Sequence, residues 1–76
     1  MIPQINVQET GKNIVLLMNK KGVAVKDVQN ACGFYTPQAV YKWRNGVCLP
    51  TIDNLVILAD LLGVTVDEIL VVGKGE

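Results

Sequence analysis

At 76 residues, half of them apolar and 18% charged, the chain suffices for one small domain and is too apolar to remain disordered. Seven cationic and seven anionic side chains cancel, so no overall basic field points to nucleic acid or a membrane surface. Histidine is absent, and Cys32 and Cys48 stand sixteen apart without a CxxC, which leaves a zinc site short of ligands and makes free thiols the expectation. The charge is nevertheless uneven. Residues 1–45 hold six cations against two anions, a balance of +4, and residues 46–76 hold one cation against five anions, a balance of −4.

The first eight residues are expected to be an N-terminal arm and the start of a first helix, with Pro3 favouring extended backbone. They carry neither a charged start nor a long apolar run, and no stretch reaches membrane-spanning length, so a cytoplasmic protein is expected. Asn6 and Glu9 have the spacing of a capping box, which predicts a helix running to Lys21 with Gly22 as its stop and Gly11 as a weak point. Its inward stripe is predicted as Val7, Ile14, Leu17 and Met18 or Lys21. A second helix, Val25 to Cys32, closes at Gly33, with Val25, Val28, Ala31 and Cys32 at helical spacing. Ala24 occupies its N-cap without a side-chain acceptor, a deficit of about 1 kcal/mol relative to Ser or Thr.

Residues 33–46 read GFYTPQAVYKWRNG: a glycine turn, a Thr-Pro opening, about two helical turns and an Asn-Gly stop. Thr36 is the predicted N-cap, and Pro37 falls at the first helical position, where its missing N–H costs nothing. Val40 and Trp43 share one face and anchor the helix, while Gln38, Tyr41, Lys42 and Asn45 occupy the rest of the cylinder. Flat amides and long cations suit base edges and phosphates, since Gln can pair bidentately with adenine and Lys can reach guanine or phosphate. An ordinary amphipathic surface helix fits the same residues.

Thr51 then caps a fourth helix, Ile52 to Leu62, with a predicted stripe of Ile52, Leu55, Val56, Ala59 and Leu62 and a stop at Gly63. Thr65 and Glu68 form a further capping box for a short helix through about Val71, and residues 73–76 are expected to fray. No strand is predicted. Five short helices make an all-α bundle in which the second and third are joined by a glycine-opened turn, the arrangement of a helix-turn-helix.

These residues resemble the Cro and phage-repressor type of helix-turn-helix, also called the xenobiotic-response-element type, over residues 10–70. The landmarks are Ile14 and Leu17, the step from Gly22 to Gly33, Trp43-Arg44-Asn45-Gly46, Pro50, and the run from Leu55 that ends in LGVTVDEI, at Ile69. The resemblance implies a five-helix, lambda-repressor-like DNA-binding domain over residues 9–72 whose third helix enters the major groove of an operator, often as a dimer. It places Thr36, Pro37 and Gln38 at the leading end of that helix. Gln38 and Lys42 fall at base-edge positions, Tyr41 at bases or sugar-phosphate, and Asn45 at phosphate. Lys26, near the start of the second helix, is a further backbone contact; Arg44 either meets phosphate or pairs with a neighbouring acid.

Departures from the family pattern carry information. Gly33 to Trp43 is ten residues rather than the commoner nine, so the turn at Phe34-Tyr35 holds one extra residue. Met18, Val25 and residues 47–49 are apolar where phosphate-binding groups are frequent, which implies weaker binding with a shallower salt dependence. Val15, Leu16, Ile57, Leu61, Val71 and Val72 exceed one stripe per helix, and the surplus is expected to serve a homodimer interface. Catalysis has no evident nucleophile, base or phosphate loop, and no cofactor, metal or membrane partner is implied. The function read from the sequence is a DNA-binding transcriptional regulator of repressor type; the alternative is a protein-interaction module, such as an antitoxin or regulatory partner, on the same fold.

Overall fold

Four of the five helices are opened and closed by their own neighbouring residues, and α5 is opened that way. In the computed structural model, which describes residues 3–74, the order is β1 (Pro3–Ile5), α1 (Val7–Lys21), α2 (Val25–Cys32), α3 (Gln38–Arg44), α4 (Ile52–Leu62), α5 (Val66–Ile69) and β2 (Val72–Lys74). Asn6 caps α1 by accepting from the Glu9 N–H at 3.0 Å. The reciprocal half of the expected box does not form: the Glu9 carboxylate takes Lys12 at 3.1 Å, and the Asn6 N–H donates to the Val71 carbonyl at 2.8 Å. Asp27 Oδ2 accepts the Ala24 N–H at 2.9 Å, so α2 has half a box despite its uncapped alanine. Thr51 and Thr65 cap α4 and α5 as predicted, and Glu68 completes the box on Thr65.

The core is Ile14, Met18, Val28, Val40, Trp43, Leu55, Leu58, Ala59, Leu62 and Ile69. α1 packs on α3, α4 and α5, and α2 on α3 and α4. Three predicted stripes are corrected. In α1, Thr10, Gly11, Ile14 and Met18 are buried, while Leu17 and Val7 are only partly so and Lys21 is exposed. In α2, Val28 is fully buried and Ala31 lies outside. In α4, Ile52 is 80% and Val56 56% exposed, and Leu58 takes the inward place. Eight of the eleven residues of α4 are apolar, so periodicity alone allows several orientations, and packing against α2 and α5 chooses the ridge through residues 55, 58, 59 and 62.

The expected absence of strands is also corrected. β1 and β2 pair antiparallel, with Pro3 opposite Lys74, Gln4 opposite Gly73 and Ile5 opposite Val72, so the chain is a five-helix domain with a terminal ribbon. Gly73 and Lys74, expected within the frayed tail, lie in that ribbon, and residues 75–76 fall outside the described residues. A two-stranded ribbon is marginal alone; here it is tied down where the fully buried Thr10 hydroxyl accepts the Val71 N–H at 3.0 Å. Asn13 adds a second tie, donating from Nδ2 to the carbonyls of Glu68 (2.8 Å) and Ile69 (2.9 Å) and so satisfying the end of α5 from α1.

Candidate nucleic-acid interface

The α2–α3 turn is held on several sides. Gly33 takes φ 74°, the left-handed conformation that a side chain would strain. The Phe34 N–H donates to the Gln29 carbonyl at 3.0 Å, and Gln29 Nε2 returns to the Phe34 carbonyl at 3.3 Å. The Phe34 ring meets Trp43 edge-on, with centroids 5.8 Å apart. The sequence marks Phe34 only as part of a lengthened turn; its bond to Gln29 carries no signal there, because a reach across five residues has no periodic signature.

α3 starts one residue later than predicted. Pro37 is the N-cap, with φ −84° and ψ 4°, and its carbonyl receives the Tyr41 N–H at 3.1 Å; no side chain caps the helix, and Thr36 is an exposed residue of the turn. The reason is local: Pro37 already has near-helical dihedrals, so its own carbonyl begins the ladder and Thr36 lies too far upstream to cap it. At the other end Asn45 has φ −86°, and Gly46 alone, at φ 72°, makes the left-handed stop.

Val40 and Trp43 are buried against the core as predicted. Gln38, Tyr41, Lys42 and Asn45 are exposed, Pro37 is half-buried, and Lys26 is exposed on α2. Along α3 and its C-cap, helical spacing puts Gln38, Tyr41, Lys42 and Asn45 on one arc opposite Val40 and Trp43, and the helix carries no acidic residue. Of the five acids of the second half, Asp53, Asp60, Asp67 and Glu68 belong to α4 and α5, and Glu76 falls outside the described residues.

Arg44 does not pair with a neighbouring acid among the described residues. Its guanidinium carbon lies 5.7 Å from the Tyr41 ring centroid, and Lys12–Glu9 is the one ion pair among the described residues. Its Nε is buried without a hydrogen-bond partner. A cation over an aromatic face is attracted by the ring quadrupole, so Arg44 steadies Tyr41 as it contributes positive charge. Met18, one of the apolar substitutes at a phosphate position, is a core residue; Val25 is half-buried and Val47 is exposed. Tyr35, in the turn that precedes α3, is wholly in solvent.

Two shallow clefts lie elsewhere, one of about 320 Å³ along Gln4, Ile5, Asn6, Val7, Gln8 and Gly73, the other of about 300 Å³ around Glu9, Lys12, Asn13, Leu16 and Val71. Neither touches α3. Among the described residues no three His, Cys, Asp or Glu side chains gather as a metal site, and no helix is long and apolar enough to cross a membrane.

No curated protein matches the chain. Its fold is similar to a solved structure described as "Crystal structure of the DNA-binding domain of BldD", with 24% sequence identity over 87% of this chain and 94% of that one and a TM-score of 0.69. The family description "Helix-turn-helix" matches residues 14–69, which span all of α2, α3 and α4 and reach the end of α5. With most of the chain matched and the two central helices joined as described, the chain belongs to the Cro/C1-type helix-turn-helix family.

Proposed function

We propose that the chain is a sequence-specific DNA-binding transcriptional regulator of repressor type, which inserts α3 into the major groove of an operator and acts by occupancy without chemistry. One observation carries this reading: α3 is anchored by buried Val40 and Trp43 and turns Gln38, Tyr41, Lys42 and Asn45 outward with no acid among them. Gln38 and Lys42 read base edges, Asn45 and Lys26 meet phosphates, and Arg44 supports Tyr41 at the groove wall. Thr36 and Pro37 set the leading end of the helix. The family membership and the fold shared with the BldD domain support the same reading.

Few cations surround α3, so a single domain binds weakly, and a homodimer on two half-sites raises the affinity by avidity. Leu16 and Val72, from the apolar surplus, are exposed and available to such an interface, as are Ile52 and Val56. Val15, Ile57, Leu61 and Val71 are partly covered within the domain. The same exposed apolar surface favours a second reading, a regulatory partner or antitoxin that binds protein. In vitro selection from random duplexes decides between them. Enrichment of a motif, with Gln38→Ala relaxing one base position by roughly 1–3 kcal/mol, supports the DNA reader. No enrichment even at low salt sinks it. Sedimentation at micromolar concentration tests the dimer, and a strict monomer contradicts it.

A further inference from the structure

Tyr35 is the most exposed of the large apolar and aromatic side chains, at 102% of the reference exposure. Its burial contributes nothing to the fold. The turn beneath it is stiff. On one side the Phe34 N–H and carbonyl are both hydrogen-bonded to Gln29 and the Phe34 ring rests on Trp43; on the other, half-buried Pro37 leads into α3. Tyr35 is therefore projected from a fixed platform, two residues before the N-cap of the helix. The turn carries one more residue than the commoner spacing between Gly33 and Trp43.

We infer that Tyr35 is a further DNA contact, its phenolic hydroxyl donating a hydrogen bond to a phosphate oxygen on the strand that borders the groove occupied by α3. The inference rests on the DNA reading above. Phosphate is the partner rather than a base edge because Tyr35 precedes α3 and flanks the groove-filling cylinder, and contacts from such flanking positions set register. Cationic support is thin here, with Met18 buried and Val25 and Val47 apolar, so a neutral donor on a rigid turn supplies positioning that charge does not. Being neutral, it displaces no condensed counterion and leaves the salt dependence as it is.

The test is fluorescence anisotropy of the full chain, Tyr35→Phe and Lys26→Ala on the duplex enriched by the wild type and on a scrambled duplex, over a range of KCl. Tyr35→Phe is expected to weaken binding about three- to tenfold on both duplexes, the value of one hydrogen bond. Its salt slope stays at the wild-type value, whereas Lys26→Ala, which removes a cation assigned to phosphate, lowers the slope by about one. Circular dichroism of Tyr35→Phe matches the wild type. Wild-type affinity in Tyr35→Phe overturns the contact while leaving the DNA reading intact, and a loss confined to the enriched duplex overturns the phosphate assignment in favour of base readout. A wild-type chain that binds no duplex at low salt removes the DNA reading itself, and this inference with it.

Discussion

Replacing Gly11 with alanine separates two opposite expectations for one residue. As a glycine inside a helix it is a weak point, and Gly11→Ala on a free helix would stabilise by about 1 kcal/mol. In the fold, a Cβ at residue 11 meets the Trp43 carbonyl oxygen at 2.6 Å, the Arg44 carbonyl oxygen at 2.9 Å and the Gly46 nitrogen at 2.9 Å. Ordinary contact begins at 3.4 Å, so α1 and the end of α3 must part by 3.4 minus 2.6, or 0.8 Å. All three obstacles are backbone and cannot rotate away. A radial gap of this size forfeits a quarter to a half of each dispersion contact across the α1–α3 interface. Overpacking typically costs about 1–3 kcal/mol and occasionally more; with three rigid backbone atoms in the way a cost of about 2–4 kcal/mol is expected, which less the propensity gain of about 1 kcal/mol leaves a net loss of roughly 1–3 kcal/mol. For a domain whose total is on the order of 4–11 kcal/mol, that is a substantial fraction. Urea unfolding followed by Trp43 fluorescence measures it, Trp43 being the one tryptophan. The native emission of Gly11→Ala should also shift, because Trp43 is the residue displaced. Gly22→Ala is the control: it is strained at φ 69° but has nothing within 4 Å, so it loses stability without moving that emission. A Gly11→Ala chain as stable as the wild type would refute the close approach.

Two further outcomes follow from the ties at the C-terminal end. Thr10→Val leaves the Val71 N–H without its acceptor and should cost about 1–3 kcal/mol in urea unfolding; amide exchange at Val72 and Gly73 should quicken more than in the α4 core, and equal protection would contradict the tie. The Thr65 N–H and hydroxyl, with Lys21 and Lys20 further off, hold the Glu68 carboxyl below its usual range. A depressed carboxylate pKa stabilises above the unfolded value and loses that contribution as pH falls through the folded one. Glu68→Gln should therefore be less stable than the wild type at neutral pH, with the gap closing in acid below the ordinary carboxylate range. A gap independent of pH would show that the charge is irrelevant to the cap.

Much of the fold is legible locally because helix ends are built from a few adjacent residues. Asn6, Thr51 and Thr65 cap, and Gly22, Gly33 and Gly63 stop, within the span of one turn, and no distant partner is needed to satisfy them. Val40 and Trp43 were readable as the anchor of α3 for the same reason, since three-residue spacing defines a face. The inward stripe of α4 was not: an almost wholly apolar helix has no unique inward side until α2 and α5 pack on it, and Ile52 and Val56 turned outward. Thr36, a cap by residue type, stays outside the helix because Pro37 supplies the first acceptor from its own backbone.

The sequence by itself determined the number and order of the helices, their stops and the residues of the α2–α3 unit, because these rest on interactions between neighbours in the chain. Tertiary structure decided the rest. It made Gly11 a point of close approach instead of a weakness, set Leu58 rather than Ile52 on the inward side of α4, and paired β1 with β2 beside the tie from Thr10 to Val71. Each of these depends on which surfaces meet across a helix interface or between residues far apart in sequence. Hydrophobic burial is non-directional, so only the assembled packing fixes those meetings.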